Sequence, residues 1–128
     1  MKPHKDTGRK KAAKTFLRLC ATGKAREAYE RFVASGFKHH NPWFKGDADS
    51  LREGMEQAAA KFPHTTIEFQ HVFEDGNRVA VHSKVQHGAK LRPVSVVHIC
   101  RFKSQRIVEL WDIAVQEPED SPNQNGLF

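Results

Sequence analysis

The stretch TIEFQHVFEDGNRVAVHSKVQ, residues 66–86, decides the fold. Its first half alternates: Ile67, Phe69, His71 and Phe73 interleave with Thr66, Glu68, Gln70 and Val72. A period of two is the mark of a strand with one buried face. Asp75-Gly76-Asn77 then supplies turn chemistry, and Arg78 to Gln86 returns as a second strand. Val79, Val81 and Val85 lie on one side of it, Ala80 and His82 on the other. This is a β-hairpin signal.

Downstream the strands continue. A loop through Gly88 and Pro93 leads to a third strand over 94–102, residues 103–105 turn the chain, and 107–116 closes the series. Upstream the period is helical. Phe16, Leu17, Leu19 and Cys20 cluster, Thr22-Gly23 interrupts with Gly23 in the position of a C′ residue, and Ala25, Ala28, Tyr29 and Phe32 recur at helical spacing. Two short helices with a bend between them are expected over 14–33. Ser35-Gly36 ends the second, and 37–42 follows, with Pro42 biasing Asn41 toward extended geometry. A third helix is expected over 49–62, with Leu51, Met55, Ala58 and Phe62 on one face, Ser50 and Glu53 as a capping box, and Pro63 as its stop. Three helices followed by four meandering antiparallel strands is α+β order, in contrast to the alternation of α/β.

The 128 residues fit one domain, expected over 14–128, long enough to bury a core without disulfides or metal. Cys20 and Cys100 are the only cysteines and sit in no C-x-x-C motif, so both read as buried thiols in a reducing compartment. The net charge of +6 is unevenly placed. Residues 1–14 carry six basic side chains against Asp6, and Glu117, Glu119 and Asp120 stand near the other end. Residues 1–13 read as a basic flexible tail. A nucleic-acid binder carries its charge on a folded face, so nucleic acid is not expected as a partner. No apolar run approaches the length of a membrane span, and no apolar segment follows the basic start, so a cytoplasmic protein is expected.

Turn lengths predict which side chains share a face. A two-residue turn in the first hairpin sets His82 opposite His71 or Phe69. It puts Ile67, Phe69, His71 and Phe73 on one pocket wall with Ala80, His82 and Lys84. The last hairpin is open on this basis. A two-residue turn sets His98 opposite Trp111, whereas a three-residue turn sets it opposite Leu110, with Asp112 opposite Val96. A slip of one residue exchanges the faces.

His40-Asn41-Pro42, Val79-Ala80-Val81-His82-Ser83, Ile107-Val108-Glu109-Leu110-Trp111-Asp112 and Pro122 to Phe128 occur in this order. The set resembles the SnoaL-like (polyketide-cyclase-like) family of the nuclear-transport-factor-2-like superfamily, over roughly residues 14–128. The resemblance implies a cone-shaped α+β barrel of helices packed on a curved, mostly antiparallel sheet. It also implies aldol-type chemistry without metal or cofactor, in which an Asp near the end of the last long strand removes an acidic C–H proton while His and Asn side chains hold the enolate. By position it assigns the base to Asp112, the pocket mouth to His40 and Asn41, and a wall to His82. The chain departs from the pattern at three places: His98 where relatives often carry Asp, Leu110 where they carry His, and Gln105 where the turn usually carries Gly. The relatives' turn favours the three-residue loop, with Asp112 and His98 on one face.

The residue chemistry agrees with that assignment. Asp112 stands among Leu110, Trp111, Ile113, Ala114 and Val115, where desolvation makes a carboxylate a better base. His82 and His98 are donors for a carbonyl or enolate oxygen. Asp112, His98 and His82 are the expected catalytic set. His40, Asn41, Trp43, Phe69 and His71 are the expected contacts to a small apolar or carbonyl-containing ligand. His39-His40 point opposite ways in extended chain, and the eight His fall in no metal-binding spacing, so neither metal nor cofactor is expected. The function expected is that of a lyase or isomerase acting on a carbonyl compound. The alternative is a non-catalytic binding domain for an apolar ligand, with His98 and Asp112 as an inert pair. Trp111, Ile113, Val97 and Ile99, continued by Val79, Val81 and Val85, are expected on the outer sheet face, and a homodimer is expected to cover it.

Overall fold

The computed structural model describes residues 7–128. Helices α1 (Gly8–Ala21), α2 (Ala25–Phe32) and α3 (Ala48–Lys61) pack on strands β1 (Val33–His39), β2 (Thr66–Asp75), β3 (Arg78–Gln86), β4 (Val94–Lys103) and β5 (Arg106–Gln116). The sheet runs β1-β5-β4-β3-β2 and does not close on itself. All neighbours are antiparallel except β1 and β5. This is the α+β architecture expected.

Local chemistry explains the helix ends. The Lys24 N–H reaches the Leu19 carbonyl (2.8 Å) across Gly23, whose φ of +85° only glycine adopts without strain. This Schellman closure bends α1 into α2. The cap of α3 differs from the expected capping box. Asp47 is its N-cap, accepting from the Ser50 backbone N–H (2.9 Å) and hydroxyl (2.7 Å).

Three expectations are corrected. First, α1 begins at Gly8, capped by Thr7, so residues 8–13 belong to a helix; residues 1–6 of the expected tail lie outside the described residues. The Lys-rich turns are held because Ala13 is fully buried, Ala12 packs on the core, and Arg9 donates to the Gly76 carbonyl (3.1 Å). Second, 33–39 forms a strand that was not expected. It pairs with β5 through Val33–Ile107 and His39–Leu110 around a bulge, beside Gly36 at φ +78°. Third, a bulge at Gln70 divides β2. Below it Ile67 and Phe69 pair with Val85 and Ser83; above it His71 and Phe73 pair with His82 and Ala80. An extra residue exchanges faces. Val79, Val81 and Val85, expected outside, are core residues on the unbroken alternation of β3, and the bulge brings Ile67 and Phe69 to their side, while His71, Phe73 and His82 face away from the helices.

The core lies between helices and sheet, built from Phe16, Leu17, Leu51, Val79, Val81, Cys100, Phe102, Ile107 and Leu110. Burial pushes the Cys100 thiol up to about 12 and raises that of Cys20 as well, so both thiols stay protonated.

Candidate functional site

The last hairpin resolves the face question by a route neither turn model contained. Its turn is the two-residue Ser104-Gln105, since Lys103 pairs with Arg106. Ser104 carries the positive φ, 56°. The register then shifts between Phe102–Ile107 and Arg101–Glu109, leaving Val108 as an extra residue. That bulge restores the parity of a three-residue turn. His98 stands directly opposite Asp112, both on the helix-facing side.

The carboxylate is held from two directions. Asn41 Nδ2 donates to Asp112 Oδ2 (2.9 Å), and the Asn41 side-chain oxygen accepts from the Trp43 backbone N–H (3.0 Å). Behind Asn41, buried His39 accepts the Asn41 backbone N–H on Nδ1 (3.1 Å). The ring proton of a neutral His39 is therefore on Nε2, which donates to the Lys45 carbonyl. The other carboxylate oxygen, Oδ1, lies 3.6 Å from His98 Nε2, longer than a hydrogen bond. His98 Nδ1 is buried and has no partner among the described residues. Burial lowers the His98 pKa against the opposing pull of Asp112, so the ring is neutral near pH 7. Tyr29, whose hydroxyl contacts Met55 Sδ (3.5 Å), also feels the Asp112 charge, and burial raises its pKa so that it keeps its proton.

His98 lines a largely apolar cleft between α1, α3 and the sheet, with Leu17, Cys20, Met55, Ile67, Val85 and others. Its volume is about 140 Å³, close to the roughly 150 Å³ of an engineered apolar cavity that admits benzene. Asp112 is not among the lining residues, although 16% of its side-chain surface is exposed.

Of the expected set, Asp112, His98 and Asn41 come together. Phe69 shares their side of the sheet but packs on the core under the Arg18 guanidinium (5.0 Å from the ring centroid). His82 and His71 stack on each other on the far face (5.4 Å), with His82 Nε2 2.8 Å from Ser95 Oγ, because His82 alternates with buried Val81 and Ser83 in β3 and His71 pairs with it above the Gln70 bulge. His40 is also outside the cleft, stacked on Trp111 (5.0 Å) and paired with Glu109 (2.7 Å). Trp43 is 84% exposed. Among the described residues no group of three or more His, Cys, Asp and Glu side chains could hold a metal ion, and no helix is long and apolar enough to cross a membrane.

Sequence reasoning missed Glu109, a buried carboxylate held below its usual range by the His40 hydrogen bond, Arg101 (2.9 Å) and Lys38 (3.6 Å). It also missed Tyr29, His39 and His87. An acidic residue between apolar neighbours in a strand was the available signal for Glu109. The others are visible only in three dimensions.

Two neutral histidines give a pH signature. His98 and His87 both have pKa values lowered by burial. The unfolded chain takes up protons near the ordinary value of about 6.5, before the folded chain does. Their contribution is complete above that pH and is lost as pH falls. The melting temperature should drop between pH 7.5 and 5.5, above the range where carboxylates titrate. His98→Leu should flatten part of the drop; an unchanged slope would show that His98 titrates alike in both states.

The SnoaL-like domain family model matches residues 13–110. Comparison with curated proteins finds no match. Among solved structures, a polyketide-cyclase candidate from Acidithiobacillus ferrooxidans superposes with TM-score 0.70 at 19% identity, over 88% of this chain and 91% of that one. AclR, a hydroxylase candidate from Streptomyces galilaeus, gives 0.71 at 17% identity, over 84% and 88%. An uncharacterised cystatin-fold protein from Novosphingobium aromaticivorans gives 0.68 at 18% identity, over 84% and 99%. At these identities the superpositions establish the fold.

Proposed function

From the premise that this chain belongs to the SnoaL-like domain family, we propose that it is a small-molecule pocket protein that enolises a carbonyl compound as a lyase or isomerase without a cofactor. The observation that carries this reading is the convergence of Asp112, His98 and Asn41 beside an apolar cleft. Asp112 Oδ1 is the base. Asn41 occupies Oδ2 and orients the carboxylate. The α C–H proton passes to Oδ1, and the C–H electron pair moves into the enolate. The His98 Nε2–H is not committed to Asp112 at 3.6 Å, so it is free to donate to the enolate oxygen. The new carboxylic acid returns its proton to the product. The direct test is α-proton exchange of acetophenone in D2O, followed by NMR. Exchange faster than buffer and abolished by removing the Asp112 carboxylate supports the reading; no acceleration by the wild-type protein rejects it.

One observation favours binding without catalysis. His98 lines the cleft and Asp112 does not. In that case the pair only supports the wall, and ligands bind unchanged.

The outer sheet face supports a homodimer. Ile113 and Val115 are 58% and 56% exposed along β5 beyond Trp111, and Phe73, 66% exposed, stands on β2 at the other edge of that face. Exposed apolar surface of this kind is unusual on a monomer. Light scattering at micromolar concentration should give twice the chain mass, and Trp111→Lys should halve it by placing a charge in an apolar contact. A wild-type monomer would remove the assignment. A cytoplasmic, small-molecule role is part of the same proposal.

A further inference from the structure

The cleft has a second polar group, at the end formed by the α3–β2 connection. Thr65 and His87 line it there, next to Ala58, Ala59, Ile67 and Val85. Thr65 Oγ1 lies 2.8 Å from the Phe62 carbonyl oxygen. Two oxygens that close need a proton between them, and only the hydroxyl has one. Thr65 therefore donates to Phe62, whose carbonyl at the C-terminus of α3 also accepts the Thr65 backbone N–H (3.3 Å). With its one proton committed, Oγ1 can only accept. His87 Nδ1, 3.0 Å away, must be the donor. Burial lowers the His87 pKa, so the ring is neutral and Nδ1 holds its only proton. Nε2 is left as a bare acceptor, and no described residue donates to it. The ring is held by Phe62 (centroids 4.9 Å apart).

A fixed acceptor in an otherwise apolar wall selects for a donor. We propose that His87 Nε2 accepts a hydrogen bond from the ligand, so the substrate class is a small carbonyl compound that also carries a hydroxyl or N–H group. This rests on the pocket reading above and adds to it. The carbonyl goes toward His98, and the donor group goes toward Thr65 and His87.

The probes are acetophenone and 4-hydroxyacetophenone, which differ by one donor. Dissociation constants by calorimetry or NMR titration at pH 7 should favour the hydroxylated ketone by about fivefold, the worth of one net hydrogen bond. His87→Leu should abolish that preference, bringing the two dissociation constants together. His87→Gln, which keeps an acceptor oxygen, should recover part of it, and it serves as the test if the Leu variant does not fold by circular dichroism. Equal binding of both ketones by the wild-type protein, or a preference that survives His87→Leu, overturns the inference while leaving the enolisation reading intact. Binding of neither ketone overturns the pocket reading and this inference with it.

Discussion

Asp112→Asn should slow α-proton exchange of acetophenone by about two to four orders of magnitude, the usual contribution of one positioned base. Asn keeps the size of the side chain, and its oxygen can still accept from Asn41 Nδ2 in place of Oδ2. It cannot take a proton. Ligand binding and stability should change little, because burial keeps His98 neutral and no ion pair is broken. The structural rival predicts the reverse. If Asp112 were the anionic half of a buried pair with protonated His98, removing it would strand a charge at about 3–5 kcal/mol. The single variant would then melt much lower, and adding His98→Leu would restore part of the loss. Thermal melts of both variants separate these outcomes without knowledge of the natural substrate. A large drop rescued by the double variant would reject Asp112 as a base.

Deleting residues 1–13 should lower the melting temperature by about 10 °C. From composition alone these residues read as a dispensable tail, and the structure reverses that expectation. The deletion removes the Thr7 cap, whose side chain accepts from the Lys10 N–H (3.2 Å), worth about 1 kcal/mol. It uncovers surface now shielded by Ala13, and removes Arg9 from the Gly76 and Ser104 carbonyls and from the Phe102 ring. Together these amount to about 3 kcal/mol, at roughly 3–5 °C per kcal/mol for a domain of this size. A shift below about 2 °C would show that the first turns of α1 contribute nothing to the fold.

Both predictions turn on features with different visibility in the sequence. The hairpin at 66–86, the three helices and the meander were legible because local periodicity and turn chemistry act within a few residues. The two turns, at Gly76-Asn77 and Ser104-Gln105, each have two central residues. Asp112 drew notice as a carboxylate in an apolar strand, and the family resemblance assigned it the base. Its partnership with Asn41, 71 positions away, joins the end of β1 to β5. Sequence spacing carries no trace of that contact.

What the sequence determined by itself was the class of fold, the three helices, the four strands after them and the pair His98 and Asp112 as the chemistry to examine. The tertiary structure decided which residues meet. Bulges at Gln70 and Val108 each insert one residue and exchange the two faces of a strand. The first set His71 on the opposite face from Ile67 and Phe69; the second brought Asp112 to His98. A bulge is chosen by the packing of the whole sheet, because it lets Phe69 and Val72 of β2, and Ile107 and Leu110 of β5, face the helices at once. Counting by twos along one strand cannot see that constraint. The same holds for β1, whose parallel pairing to β5 joins residues more than 70 positions apart, and for His87, whose free acceptor follows from a threonine 22 residues earlier in the chain.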